Sequence, residues 1–214
     1  MLTLVLQALD VAKMKDILNQ NLEQILSLEI PEERREILQV LIDYIKDKRK
    51  KEQPIRLNFI CTHNSRRSQF SQVWAQTAAD YFQIPAQCYS GGVEVTACNE
   101  RTVASLERMG FIVSKHGHSN PIYFALHTQD ARPIILFSKL YDDVINPHGI
   151  FATVMTCSHA DENCPFIPGA EARIPVRYED PKAFDDTPEE AAQYDERSRQ
   201  IAGEMFYVFS RVSI

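Results

Sequence analysis

A cysteine, five further residues, then arginine and serine close one strand and open a helix, and no other stretch constrains the chain so tightly. The octapeptide is Cys61-Thr62-His63-Asn64-Ser65-Arg66-Arg67-Ser68. Before it, the alternating apolar run Ile55 to Ile60 reads as a strand; after it, Gln69 to Phe82 reads as a helix. A loop in that position points backbone N–H groups inward, and the helix N-terminus adds partial positive charge, so the turn forms an anion cradle. Arg67 offers a planar fork matched to two oxygens of a tetrahedral oxyanion. Cys61 stands at the mouth, where the same field favours a thiolate, and a thiolate beside a phosphate-like anion is a nucleophile. A cysteine taken alone reads as a small buried apolar residue; strand, spacing and helix together give this one chemistry.

Composition narrows the setting. A chain of 214 residues can bury one substantial core with a small appendage. A net charge of -6 provides no broad basic face, so no nucleic-acid partner is expected. Met1 to Leu9 is apolar but lacks the basic start and the cleavage site of a secretory signal, and no stretch reaches the length of a membrane span. The cysteines are Cys61, Cys88, Cys98, Cys157 and Cys164; an odd number in a chain of this size argues against a secreted disulfide framework and for a reducing cytoplasm.

Residues 1–52 read as helix throughout. Val11, Met14, Ile17 and Leu18, then Leu22, Ile25 and Leu26, recur at helical spacing. Pro31-Glu32-Glu33 starts a second helix with its apolar face on Ile37, Leu38, Leu41, Tyr44 and Ile45, and Lys46 to Lys51 closes it with positive charge. Gln53-Pro54 marks a boundary, dividing a helical extension (1–52) from the main domain (53–214). The extension carries no recognisable chemistry. It is expected to pack as a hairpin on the main domain or on a second copy of the chain, which makes a homodimer through these helices one expectation.

From residue 55 strand and helix alternate, the signature of an α/β domain with a doubly wound parallel sheet. Ala86 to Ser90 reads as a strand followed by the turn Gly91-Gly92, and Asn99 caps a helix that Gly110 ends. Ile122 to His127 and Pro133 to Ser138 flank a turn and suggest an inserted hairpin. Phe151 to Thr156 is a further core strand, ending at Cys157. Thr187-Pro188-Glu189-Glu190 is a capping box that opens a long C-terminal helix toward Tyr207. Ligands of open parallel sheets bind beyond the carboxyl ends of the strands, so Cys61 and Cys157 are expected on one edge.

Cys157 and Cys164 stand seven apart. In a continuous helix that is about 10 Å, whereas a disulfide needs Cα atoms within about 7 Å. Joining them requires the polar segment between them to bend. His159 lies between the two, yet the spacing matches none of the usual zinc patterns, and no metal or cofactor is called for. Glu179-Asp180-Pro181 places a carboxylic acid on a rigid loop, suited to protonating a leaving oxygen. Cys88 and Cys98 read as packed thiols, His116 and His118 as surface residues, and Trp74 as the residue that packs the loop's helix on the core.

On the loop Cys61 to Ser68, the run Ser90-Gly91-Gly92-Val93-Glu94, the pair Cys157 and Cys164, and Asp180-Pro181, the chain resembles the low-molecular-weight protein tyrosine phosphatase superfamily, and within it the thioredoxin-coupled arsenate reductases. The resemblance covers roughly residues 55 to 210. The reductase loop of that family usually reads C-T-G-N-S-C-R-S; here His63 replaces its glycine and Arg66 its second cysteine. The resemblance implies a flavodoxin-like fold with a four-stranded parallel sheet. It also implies roles. Cys61 attacks arsenate, held by Arg67 and by the loop residues Thr62, His63, Asn64, Ser65 and Arg66. Ser68 stabilises the thiolate and Asn64 fixes the loop. Asp180 protonates the departing hydroxyl. Cys157 then attacks Cys61, and Cys164 carries the disulfide outward to thioredoxin. A phosphatase of the same superfamily shares the first step without needing the cysteine pair; its members carry tyrosines just after Asp-Pro, where this chain has Lys182 and Ala183. A non-catalytic oxyanion-binding regulatory module is the reading from a different class.

Overall fold

Apolar side chains on both faces fix the first strand at the centre of a sheet. The computed structural model describes residues 17–163 and 167–212; Val11 and Met14 of the expected first helix, and Cys164, lie outside the described residues. Strand β1 (Ile55–Cys61) buries Leu57, Phe59 and Ile60 completely, the pattern of a parallel strand covered on each side. It pairs in parallel with β2 (Ala86–Gly92) on one edge and β6 (Phe151–Met155) on the other, and β6 pairs in parallel with β7 (Ala170–Pro175). The order β2-β1-β6-β7 is thus a four-stranded parallel sheet flanked by helices. The chain leaves β1 toward β2 and returns on the other side as β6. The gap above β1 and β6 is therefore a topological switch point, where ligands of such sheets bind.

The expected hairpin is part of something larger. Strand β4 (Ile122–Leu126) pairs antiparallel with β5 (Ile134–Leu136), but β3 (Ile112–His116) adds on the other side, giving a three-stranded sheet in the order β3-β4-β5. Sequence pattern hides β3 because its residues are half-buried or exposed, so apolar alternation is weak.

Helices complete the layers. After β1 comes α3 (Arg67–Tyr81), and α4 (Glu100–Arg108) follows β2, capped by Asn99, whose side chain accepts from the Arg101 N–H. Helix α6 (Glu190–Val212) packs along α3. Trp74 is fully buried between them, its indole N–H donating to Ser198 Oγ at 2.9 Å and its ring edge-on to Phe111 at 5.0 Å. The expected capping box does not form: the Thr187 hydroxyl donates to Phe184 O at 2.7 Å, and the Glu190 carboxylate accepts from the N–H of Asp186, not of Thr187.

The N-terminal helices lie on the same body. Residues 17–26 form α1, and Asn21 Nδ2 donates to Met109 O at 3.2 Å. Helix α2 (Glu32–Lys50) buries Leu38, Leu41, Ile42 and Ile45, and Arg34 clasps the buried Glu204 of α6 through Nε at 2.8 Å and a terminal nitrogen at 2.6 Å. Among the described residues no helix is long and apolar enough to cross a membrane.

Candidate active site

The loop after β1 is held open from outside. The carbonyl of Thr62 accepts from the N–H groups of Val93 and Glu94 at 2.8 and 2.9 Å. The carbonyl of His63 accepts from Ser138 Oγ at 2.7 Å, that of Asn64 from Gln69 Nε2 at 2.7 Å, and that of Ser65 from Asn99 N at 3.0 Å. Among the described residues, the N–H groups of residues 62–66 donate to no protein acceptor. Buried backbone donors require partners, so a run of them left over in one loop has the chemistry to suit an anion.

Asn64 takes the one left-handed conformation in the loop, at φ 47, which asparagine tolerates well. The glycine-for-histidine exchange at position 63 therefore needs no glycine freedom. His63 instead turns its ring to Glu94, Nε2 to Oε2 at 3.3 Å. The side chain of Asn64 donates to Ser68 Oγ at 2.9 Å, and Ser68 Oγ lies 3.0 Å from Cys61 Sγ. With Asn64 as donor, the hydroxyl proton of Ser68 is free to point at the sulfur.

Arg67 reaches across to the loop before α6. Its terminal nitrogens donate to Asp180 Oδ2 at 2.7 Å and to Tyr178 O at 3.2 Å, while its Nε is buried with no hydrogen-bond partner among the described residues. Asp180 is partly exposed, and its other oxygen caps the following 3-10 turn by accepting from Lys182 N at 3.1 Å. Cys61, Ser68, Arg67 and Asp180 are thus brought together. Arg66 also stays near this acid, its Nε 3.9 Å from Asp180 Oδ1. Its guanidinium donates to Tyr194 OH at 2.8 Å and Asp185 Oδ2 at 3.3 Å, and Tyr194 in turn donates to Asp185 Oδ1 at 2.7 Å. Its side chain ties the loop to α6 and to the segment that carries Asp180 and Asp185. Burial and the bond to Asp185 hold the Tyr194 phenol well above its ordinary range.

Cys157 follows β6 as Cys61 follows β1, and the two thiols belong to one buried cluster with Ile60, Met155 and Ala160. The Sγ of Cys157 is 3.6 Å from Thr62 Oγ1 and receives the Ala160 N–H at 3.3 Å. The short helix α5 (Ser158–Asn163) leads from Cys157 toward Cys164, and Asp161 anchors it by accepting from Arg173 and Arg177, each Nε at 3.0 Å. Burial pushes the Asp161 carboxyl up, but these two guanidiniums outweigh it and hold the group below its usual range. Cys88 and Cys98 are buried in the main core, Cys98 beside the loop and close enough to Cys61 to feel its charge. Burial pushes both thiols up, Cys98 to about 12, so neither is a nucleophile near neutral pH.

Sequence reasoning missed Ser138, Lys139, Asp185 and Tyr194, which hold the loop from distant segments. It weighed His159 only as a metal ligand, whereas its Nδ1 sits 3.3 Å from Thr62 Oγ1 on the loop. The GG pair was noticed but not its reason. A Cβ on Gly92 would stand 2.8 Å from Asn64 N, 2.9 Å from Thr62 O and 2.7 Å from Glu94 O, all backbone. Gly92→Ala is accordingly expected to cost about 1–3 kcal/mol of stability and to distort the cradle, measured as a lower urea midpoint together with weaker phosphate binding.

No protein-family profile matches the chain. Residues of the chain are 28% identical over 124 positions to arsenate reductase 2 of Staphylococcus epidermidis, covering 58% of this chain and 76% of that protein. An arsenate reductase of Staphylococcus aureus is 29% identical over 124 positions, with the same coverage. Among solved structures, a low-molecular-weight protein tyrosine phosphatase from T. tengcongensis aligns at a TM-score of 0.47 and 14% identity, over 71% of this chain and 95% of that one.

Proposed function

We propose that the chain is a member of the low-molecular-weight protein tyrosine phosphatase superfamily, on the side of its arsenate reductases, and that it reduces arsenate by a thiol relay. The observation that carries this reading is the second buried thiol, Cys157, set on the neighbouring strand end within 3.6 Å of the loop hydroxyl of Thr62. A hydrolase has no use for it.

In this reading the Cys61 thiolate attacks arsenic and forms a sulfur–arsenic bond as hydroxide leaves. The loop N–H groups and the Nε of Arg67 hold the oxygens, and Ser68 donates to the sulfur before attack. Asp180 carries the proton that turns the leaving hydroxide into water. To do so it must be protonated, and its bond to Arg67 suits a carboxylate; an entering oxyanion that takes over the Arg67 fork frees it to accept a proton. The Cys157 thiolate then attacks Cys61 sulfur. The sulfur–arsenic bond breaks with its electron pair going to arsenic, which leaves as arsenite, and a Cys61–Cys157 disulfide forms. Cys164 attacks Cys157 and releases Cys61 as thiolate. A protein dithiol of the thioredoxin class reduces the Cys157–Cys164 disulfide. Residues 1–52 take no step in this sequence.

One observation favours the phosphatase instead. An open cleft of about 520 Å³ lies beside the loop, lined by His63, Arg66, Asn99, Arg101, His118 and Lys182 among others, more room than arsenate needs. A coupled assay separates the readings. Arsenate-dependent NADPH oxidation with thioredoxin and its reductase is expected. Hydrolysis of p-nitrophenyl phosphate without it selects the phosphatase, and phosphate binding with neither activity selects the regulatory module.

A further inference from the structure

Cys157 must lose a proton before it can attack, and burial means that the proton needs a route out. Only 1% of the residue is exposed. Among the described residues its sulfur has two hydrogen-bond partners, the Ala160 N–H at 3.3 Å and Thr62 Oγ1 at 3.6 Å. The amide only donates, so the Thr62 oxygen is the acceptor open to a Cys157 thiol. That oxygen in turn lies 3.3 Å from Nδ1 of His159, which stands on α5 just beyond Cys157 and is exposed to solvent. A neutral imidazole nitrogen accepts a proton near neutral pH, which a threonine hydroxyl cannot keep.

Both contacts meet at one atom, Thr62 Oγ1, and a hydroxyl donates and accepts at once. With Cys157 a thiol, its S–H donates to Thr62 Oγ1, and the Thr62 hydroxyl donates to the Nδ1 of a neutral His159. With Cys157 a thiolate, His159 Nδ1 carries the proton and donates to Thr62 Oγ1, and the Thr62 hydroxyl donates to the sulfur. The two arrangements differ by two proton hops along the same contacts, with the heavy atoms in place. The Ala160 N–H donates to the sulfur in both, and such a bond is stronger to the anion. The thiolate is also within range of Arg177. The bond to Asp161 is the first cause of that guanidinium standing above its ordinary range, and the Cys157 charge adds to it.

We propose that His159 is the proton acceptor for Cys157, acting through the Thr62 hydroxyl, so that the buried second thiol becomes the thiolate that attacks Cys61. The proposal rests on the relay reading, in which Cys157 attacks Cys61, and adds where its proton goes. The Cys157 proton passes to Thr62 Oγ1 as the Thr62 hydroxyl proton passes to His159 Nδ1. The electron pair left on the Cys157 sulfur forms the bond to the Cys61 sulfur, and the sulfur–arsenic pair departs with arsenite. The exposed imidazolium then gives its proton to solvent, which makes His159 neutral for the next turnover. Because His159 works on Cys157, its effect falls on the second step and not on the first attack by Cys61.

The test reads the second step without arsenate, in Cys164→Ser, where the relay halts at the Cys61–Cys157 disulfide. Cys61 attacks dithiobis(nitrobenzoate) and releases one thionitrobenzoate. Cys157 then attacks the mixed disulfide at Cys61 and releases the other, so the colour develops in two phases, and peptide mass spectrometry identifies the crosslink. His159→Gln keeps a polar side chain at an exposed position and removes the proton acceptor. It is expected to slow the second phase about tenfold or more and to leave the first within about twofold of the parent. Thr62→Val is expected to slow the second phase likewise and Thr62→Ser to restore it, and the double variant Thr62→Val with His159→Gln is expected to be no slower than the slower single one. Added imidazole is expected to restore part of the rate in His159→Ala, which a merely structural role would not allow. Should Thr62→Val fail to fold, His159→Gln decides. A second phase in His159→Gln within about twofold of the parent, an equal fall in both phases, or additive losses in the double variant overturns the proposal alone. A parent with no second phase overturns the relay reading and the proposal with it. If arsenate is not reduced, the two phases still decide the role of His159.

Discussion

Replacing Cys61 with serine takes arsenate reduction to background, a loss of about 10⁴-fold or more, while the protein stays folded and still binds phosphate. The reason lies in the separation of parts. The loop carbonyls are tied outward by Val93, Glu94, Ser138, Gln69 and Asn99, so the inward donors survive a change of one atom at position 61. What disappears is the nucleophile: an alkoxide is not available at neutral pH, and among the described residues the hydrogen-bond partner at the position is the Ser68 hydroxyl, which is no base. The coupled assay measures the loss and calorimetric titration with phosphate measures the retained binding. Turnover in Cys61→Ser above about one hundredth of wild type would mean that another group performs the attack.

The second large effect separates reduction from hydrolysis. Cys157→Ser is expected to abolish arsenate turnover, while any hydrolysis of p-nitrophenyl phosphate remains within about threefold of wild type. Cys157 contributes nothing to the cradle. Its sulfur faces the Thr62 hydroxyl and the Ala160 N–H, and it bonds none of the backbone donors of residues 62–66. Without it, the arsenic bound to Cys61 has no thiol to displace it, and the reaction stops after one bond is made. Equal losses of both activities would show that Cys157 only supports the loop.

Much of this site could be read from residue order because its chemistry is local. Cys61, Asn64, Arg67 and Ser68 fall within a single strand-to-helix turn, and the parallel sheet puts Cys157 on the same edge by the rule for strand ends. What stayed hidden depends on long-range packing. Arg66 looks like a second anion ligand until α6 and the turn before it bring Tyr194 and Asp185 to it from 128 and 119 positions away. Lys139 looks like a solvated charge, and only the return of the loop after β5 against β2 buries it. Strand β3 escaped because a half-exposed edge leaves little apolar alternation to read. Asp180-Pro181, a common turn in isolation, gains its meaning from the 2.7 Å bond to Arg67.

The relay itself is tested most directly by peptide mass spectrometry after a single turnover with arsenate and no external reductant. The account predicts one Cys157–Cys164 crosslinked peptide for each arsenite formed, with Cys61 recovered as a free thiol, and in Cys164→Ser a Cys61–Cys157 crosslink in its place. All five cysteines recovered reduced after exposure to arsenate, or a crosslink that includes Cys88 or Cys98, would contradict it.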